Sequence, residues 1–335
     1  MKIFVTGGTG FVGSHIVAAL VGAGHEVRLL VRRPEQVPLT FGPHGIEPTD
    51  LVVGDVRDAD LVARGIEGCD AVVHAAAIYS LHRKDVPAIA ATNVAAARTV
   101  LDAAVTAGAD PVVHISSTVA LIRGDGGAPD LPLGDLSGPY ASSKRDSEVI
   151  AREHQSAAAP VVSIYPGGVY GPKDPYLSDQ NNRLVWVARG LFPLWSRGAY
   201  HVCDVRDVAA TVVAVMRQGQ GPRRYVVPGT HMSADTLFAA LSSVLGRRRP
   251  YALLPDALAW PIVRSTGVLN SLTPRRWYYP ADEEGIAVSV ADMRLDDGPA
   301  RLDLGITPYP FEETMRDTVG WLVDAGHLPS KLQPR

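Results

Sequence analysis

The sequence predicts an α/β protein: a doubly wound parallel sheet with helices on both faces, joined to a smaller α+β C-terminal lobe. Short apolar runs of four to six residues recur, and each is followed by a longer helical pattern. The runs are continuous rather than alternating, as strands buried on both faces are. After about Gly171 this alternation gives way to loops rich in Pro, Gly and aromatic residues, "YGPKDPYLSDQNN" and "GLFPLWSRGAY".

Taken in order, "KIFVTG", "EVRLLVR", "DLVVGD", "AVVHAAA", "PVVHISS" and "VVSIYPG" read as strands, and helices are expected at residues 15–23, 59–66, 89–107 and 140–155. Strand followed by helix, repeated, gives right-handed crossovers. Ser137 is expected to cap the last of these helices, and Pro139 suits its first turn. The pattern resumes with "DVRDVAATVVAVM", which Asp207 is expected to cap, and with "RYVVPG". Residues 1–169 and 201–229 are therefore assigned to the sheet domain, and residues 170–200 and 230–335 to the second lobe.

A chain of 335 residues is long enough to bury a large core. With 46% hydrophobic residues, 20% charged residues and a net charge of −3, it lacks the basic surplus that nucleic-acid binding requires. Cys69 and Cys203 stand far apart with no CxxC pair, which argues against a disulfide framework or a zinc cluster and makes a reducing, cytoplasmic setting the expectation. The N-terminus runs from Met1-Lys2 straight into "IFVTGG", with no room for a signal peptide. The apolar stretch "YALLPDALAWPIV" is broken by Pro255, Asp256 and Pro261 and stopped by Arg264, so it is expected to form core or pocket wall and not to contact a membrane.

"TGGTGFVG" places Gly7, Gly10 and Gly13 between a strand and a helix. Glycines at this spacing allow a tight turn, close approach of a pyrophosphate and close packing of helix on strand, while the helix N-terminus offers free amides. A purely steric role for the glycines is the alternative. The second strand ends in Val31, Arg32 and Arg33 where NAD enzymes usually carry an acid. A guanidinium there can hold a 2′-phosphate through charge-assisted hydrogen bonds worth about 1.5 to 3 kcal/mol. NADP(H) is thus the preferred cofactor, NAD(H) staying open; a solubilising pair is the alternative for these arginines. In "GDVRD", Asp55 can accept from an adenine amino group or can cap the next helix. "HAAA" supplies Ala75, Ala76 and Ala77, small enough for a cofactor to lie on the backbone, and His74 reads as a packed histidine.

"YASSK" sets Tyr140 and Lys144 four residues apart, one turn apart on one helix face. An ammonium a few Å from a phenol favours the phenolate and makes Tyr140 a plausible general acid or base. "HISSTVALIRG" adds three successive hydroxyls, Ser116, Ser117 and Thr118.

Together with Asn93 in "TNVAAARTVLDAA", "YPGGVYGP" and "DVRDVA", these motifs resemble the extended short-chain dehydrogenase/reductase family, the NAD-dependent epimerase/dehydratase superfamily, along the length of the chain. The resemblance implies a Rossmann fold in which Tyr140 exchanges a proton with the substrate oxygen and Lys144 binds the nicotinamide ribose and tunes Tyr140. Ser117 orients the carbonyl, with Thr118 as runner-up, and Ser116 sits toward the cofactor. It also implies cofactor contacts at Gly7, Thr9, Gly10, Phe11, Val12, Gly13, Arg32, Arg33, Asp55, Val56, Ala75, Ala76, Ala77, Asn93, Pro166, Gly167 and Val169 besides Tyr140 and Lys144. Asn93 would support a water or a backbone kink, or merely bend its helix.

Sugar-nucleotide enzymes of this family typically have an acid, a VYG triplet and an Asn where this chain has Val31, "ALI" (120–122) and Gly168. "VRRP" and Pro166 instead look like the branch of dihydroflavonol reductases and hydroxysteroid dehydrogenases. The aliphatic "VALIRG" is expected to line the cleft beside Ser117. Tyr176, Trp186, Phe192, Trp195, Trp260 and Trp277 could wall an apolar pocket or simply be core. Arg183, Arg197 and Arg206 keep an anionic substrate open, and Asp204 stands where relatives often have His. The resulting expectation is an NADP(H)-dependent oxidoreductase acting on a small apolar carbonyl compound or secondary alcohol. The alternatives are an NAD-dependent nucleotide-sugar epimerase or dehydratase with tightly held cofactor, and a cofactor sensor without chemistry. No GxSxG elbow and no HExxH occurs, so neither a serine hydrolase nor a metal is expected. A homodimer through the Tyr140 helix and its Ala-rich neighbour is a further expectation.

Overall fold

A computed structural model describes the chain apart from residues 80–85, 124–130, 273–278 and 280. The apolar runs become β1 (Lys2–Thr6), β2 (Glu26–Val31), the partly exposed edge strand β3 (Asp50–Val53), β4 (Ala71–His74), β5 (Val112–Ile115) and β6 (Val161–Tyr165), joined by β10 (Arg223–Val226). They form one sheet in the order β3-β2-β1-β4-β5-β6-β10, every pair parallel. The order reverses between β1 and β4, so the carboxyl ends of these two strands open onto a crevice where such sheets bind ligands.

Alternate residues of each strand face opposite layers. Ile3 and Val5 pack with α1 (Phe11–Gly22), α2 (Val37–Phe41) and α7 (Val205–Ala214), through Ile16, Val17, Leu20, Phe41, Val208 and Val212. Phe4 faces the other way, into α3 (Ala59–Ile66), α4 (Val86–Thr106) and α5 (Pro139–Ser156), against Val62, Val100, Leu101 and Ile150. Full burial of a side chain such as Phe4 is worth about 1.5–3 kcal/mol.

The remaining elements are β7 (Gly168–Tyr170), α6 (Asp179–Arg189), β8 (Leu194–Ser196), β9 (Tyr200–Asp204), β11 (Thr230–Met232), α8 (Ala234–Leu245), β12 (Ala252–Leu254), α9 (Asp256–Leu272), α10 (Glu283–Ala291) and α12 (Phe311–Asp324), and β7, α6, β8, β9, β11, α8 and α12 build a second core with Val288 of α10 packed against it. β7, β9 and β11 form one small sheet, and β8 pairs with β12. Two elements cross the expected division: β9, most of which that division gives to the sheet domain, pairs with β7 and β11 and sends Val202 into the second core, and α11 (Gly298–Leu304) sends Ala300 into the core of the large sheet.

The start of α7 also differs from expectation. Asp204 is its cap and accepts from the Arg206 amide at 2.8 Å, because its extended backbone points the carboxylate back over the first turn. Asp207 lies inside that turn, buried, and accepts from the Tyr309 amide at 3.1 Å. Burial raises its pKa to about 7, the Tyr309 amide opposing and the Asp204 carboxylate adding to the rise.

Candidate active site

The turn between β1 and α1 is closed to any residue but glycine at two points. Gly7 has φ +73°, and a Cβ there would lie 2.5 Å from the Ala76 nitrogen. A Cβ on Gly13 would lie 2.1 Å from the Gly7 carbonyl oxygen. Ala75 and Ala76, at the end of β4, are therefore the floor on which the turn rests. Gly10 caps α1 with no side chain of its own, and the first turn holds no acidic residue. The helix N-terminus thus keeps its positive end for an anion. Thr9, Phe11 and Val12 complete the turn. This cradle fits the diphosphate of a dinucleotide.

Arg32 and Arg33 follow β2 directly and are exposed. Asp55 lies near enough to Arg32 to feel its charge, but its carboxylate is held chiefly by Arg57 at 2.8 and 2.9 Å, which brings its pKa down to about 2. The cap of α3 is Asp58, which accepts from the Leu61 amide at 3.0 Å, so capping does not explain Asp55. Val56 is half-buried against the α3 and α4 layer.

Ser117 ends the extended run after β5 and starts a short turn, accepting from the Val119 amide at 3.4 Å. The Thr118 amide donates to the Pro166 carbonyl at 2.9 Å, which locks this turn to the end of β6 and to Gly167, itself pressed against the His201 carbonyl. Val169, in β7, packs against the first core. Ser116 is buried and its hydroxyl has no partner among the described residues.

Helix α5 brings Tyr140 to the same place. Burial raises the Tyr140 pKa, hydrogen bonding with Ser117 works against that rise, and the charge of Glu284 adds to it. The Lys144 Nζ lies 5.9 Å from the Tyr140 ring centre and donates to the Ile115 carbonyl at 3.0 Å. Burial brings the Lys144 pKa down to about 8, with the Glu148 carboxylate opposing. Ser117, Tyr140 and Lys144 therefore lie together at the carboxyl edge of β5.

Asn93 is buried in α4 and brackets the loop after β4. It accepts from the Ile78 amide at 2.7 Å, donates to the Ile78 carbonyl at 3.0 Å and donates to Ser143 Oγ at 3.1 Å. Of the three roles open to it, supporting a water, supporting a backbone kink or bending its helix, these bonds correspond to the second. Next along, Tyr79 meets the Tyr140 ring edge-on at 4.7 Å between ring centres. His74 is a packed residue, as expected: its Nδ1 lies 2.8 Å from Thr6 Oγ1, and its ring stacks on His114 at 5.6 Å. Burial brings its pKa down to about 3.

Two expectations about this region change. Ser137 does not cap α5. Gly138 occupies the cap position, and the Glu284 carboxylate, from α10, accepts from the Tyr140 and Ala141 amides, each at 3.1 Å. Leu121 and Ile122 do not line a cleft. They pack with Tyr165, Val226 and Met293 beneath α10, because the chain after Ser117 turns inward.

In the second lobe, Phe192 and Trp195 are core, and Trp186 packs edge-on against Tyr279. Tyr176 is about half exposed and donates to Gln36 at 2.7 Å. Trp260 is partly buried, and Trp277 lies outside the described residues. Arg183 is buried and paired with Asp282 at 3.1 Å. Arg206 pairs with Asp204 and Asp317 at 2.7 and 2.6 Å, and Arg197 is exposed.

Sequence reasoning missed Tyr79 and Glu284. Tyr79 follows "HAAA" closely and could have been suspected from that position alone. Glu284 lies 144 residues from Tyr140, and nothing in "DEEG" names its partner helix.

Comparison with known proteins agrees with this geometry. The profile of the NAD dependent epimerase/dehydratase family matches residues 3–227. A putative dihydroflavonol 4-reductase from Synechocystis sp. is 30% identical over 98% of this chain and 96% of its own length. Sterol demethylase protein B from Methylococcus capsulatus is 28% identical over 98% of this chain and the whole of its own. The crystal structure of gox2253 superimposes with a TM-score of 0.80 at 26% identity, covering 98% of this chain and 99% of the other. With the glycine turn and these matches in hand, the chain belongs to the NAD dependent epimerase/dehydratase family, within the extended short-chain dehydrogenases/reductases.

Proposed function

We propose that the protein is an NADP(H)-dependent oxidoreductase that interconverts a carbonyl group and a secondary alcohol on a small, predominantly apolar substrate. The observation that carries this reading is the convergence of Ser117, Tyr140 and Lys144 at the end of β5, with the ammonium 5.9 Å from the phenol ring. The crevice would hold the nicotinamide of the cofactor, whose chemistry when bound would be to supply or accept the hydride. Gly7, Gly10 and Gly13 would hold its diphosphate, Arg32 its 2′-phosphate and Lys144 its ribose.

The chain's own part is proton transfer and placement. Ser117 donates to the substrate oxygen and holds it beside the phenol. In reduction the Tyr140 hydroxyl gives its proton to that oxygen as the oxygen becomes an alcohol; in oxidation the phenolate takes it back. The Lys144 charge lowers the cost of that phenolate. Lys144 keeps this place because its remaining hydrogen bonding is anchored on Ile115.

An apolar substrate is supported by the arginines of the second lobe. Arg183 and Arg206, the two buried or half-buried candidates for an anion, already face Asp282 and Asp204. The Synechocystis relative is named as a reductase, which agrees. We also propose a homodimer through α4 and α5, whose outer faces present Ala91, Val94, Ala95 and Val149 side by side. Light scattering that returns a monomer would refute the dimer.

The test of function is a panel of aldehydes, ketones and secondary alcohols followed by NADPH absorbance. Turnover with NADPH that Tyr140→Phe abolishes is the expected result. Stoichiometric NAD retained through purification, with no turnover of free NADPH, would overturn the reading in favour of an epimerase or dehydratase.

A further inference from the structure

The first turn of a helix leaves its leading amides without partners inside the helix, and they are usually satisfied by a residue immediately before it. In α5 the residue at that place is Gly138, which has no side chain to offer. The acceptor comes from the other lobe. Glu284 Oε1 takes the Tyr140 amide and Oε2 takes the Ala141 amide, both at 3.1 Å. Gly138 is shaped for this contact: its φ is +148°, and a Cβ there would lie 2.3 Å from Glu284 Cδ. The carboxylate thus fills the space that any other residue at position 138 would occupy.

Glu284 is itself held. Asp282 caps α10 by accepting from the Gly285 amide at 2.6 Å, and its other oxygen pairs with Arg183 at 3.1 Å. Arg183 is electrostatically coupled to Tyr79, whose ring meets Tyr140 edge-on. The short run Asp282 to Gly285 therefore touches α5 at its first turn and, through the Asp282–Arg183 pair, is linked electrostatically to Tyr79 beside Tyr140.

We propose that Glu284 is a positioning residue of the active site, holding the first turn of α5 so that Tyr140 points at Ser117 and placing a negative charge near the Tyr140 hydroxyl. This rests on the oxidoreductase reading for its kinetic consequence but not for its structural one. The groups that face Tyr140 are Lys144 from its own helix, Tyr79 from the loop after β4, Ser117 from the end of β5 and Glu284 from α10. Among these, Lys144 favours the phenolate and Glu284 disfavours it. Carboxylate at a helix N-terminus also masks the positive end of the helix dipole, which acts in the same direction.

Glu284→Gln keeps the shape and one acceptor oxygen but removes the charge; Glu284→Ala removes both. In the alcohol-oxidising direction, where the phenolate is required, the acid limb of kcat should move to lower pH by roughly half to one unit in Glu284→Gln. The KM for the cofactor should stay unchanged, since Glu284 touches neither the glycine turn nor Arg32. A purely structural residue would lower kcat without moving the limb, so a limb that stays in place, or moves to higher pH, overturns the proposal.

Hydrogen exchange provides an arm independent of turnover. In Glu284→Ala the Tyr140 and Ala141 amides should exchange at least about tenfold faster, while the rest of α5 keeps its protection. Unchanged exchange at these two amides overturns the proposal even if no substrate is known. Absence of turnover across the whole carbonyl panel would instead refute the oxidoreductase reading, leaving the exchange measurement to decide Glu284.

Discussion

Lys144 Nζ donates to the Ile115 carbonyl at 3.0 Å, which ties α5 to the strand that precedes Ser117. The lysine is buried and its pKa is lowered to about 8, burial outweighing the help of Glu148. Its charged form therefore prevails below about pH 8 and is lost above it. Reductase kcat/KM should fall on the basic side with an apparent pKa near 8. Lys144→Met should lose about a hundredfold or more in kcat/KM and show no such limb in its residual rate.

Ser117 and Thr118 are adjacent but differently employed. Ser117 meets Tyr140, whereas Thr118 is bound through its backbone to Pro166. Ser117→Ala should lower kcat by about 10²- to 10³-fold, the cost typical of removing one donor to a reacting oxygen. Thr118→Ala should stay near wild type in the same assay; the reverse ranking would reassign the carbonyl donor.

Gly13→Ala would set a methyl 2.1 Å from the Gly7 carbonyl, a backbone atom that cannot step aside. Forcing the turn apart should destabilise the fold by about 1–3 kcal/mol and abolish NADPH binding. Thermal denaturation and cofactor calorimetry on the same sample check both.

Arg32 is exposed at the end of β2, and the carboxylate that feels its charge, Asp55, is held chiefly by Arg57. Arg32→Ala should weaken NADPH by at least about tenfold while leaving NADH unchanged, since about 1.4 kcal/mol of lost phosphate contact is tenfold. Calorimetric titration with both cofactors decides it. Equal losses would point to a structural role.

Asp207 has a pKa of about 7 in the folded protein against an ordinary 3.8, because burial disfavours its charge. The folded state therefore binds a proton that the unfolded chain has released across this window. The stability that this contributes is fully present below pH 3.8 and is lost as pH rises through about 7. Asp207→Asn, which keeps an acceptor for the Tyr309 amide, should gain thermal stability relative to wild type steadily between those pH values and level off above them.

The sheet was legible because both of its faces are covered. Continuous apolar runs such as "AVVHAAA" leave strands little freedom, and glycines at 7 and 13 are required by contacts less than 3 Å from a would-be Cβ. Tyr140 and Lys144 were legible because a helix converts their spacing directly into proximity. Caps were harder to read. Ser137 and Asp207 were plausible from local sequence, but each lost to a residue better placed by the backbone, Glu284 from another lobe in the first case and Asp204 in the second. "VALIRG" misled for a related reason. Hydrophobicity said that Leu121 and Ile122 avoid water, but not whether a substrate or α10 would cover them, and α10 does.

The Glu284 contact bears on how such proteins can be recombined. A second lobe joined by ion pairs at its rim could be exchanged between relatives as a cassette. Here the incoming lobe must also carry a carboxylate at position 284 and meet a glycine at position 138, or the host's tyrosine loses its footing. Chimeras that graft residues 230–335 from a relative lacking that acid should fold yet turn over poorly, and restoring the acid alone should recover them.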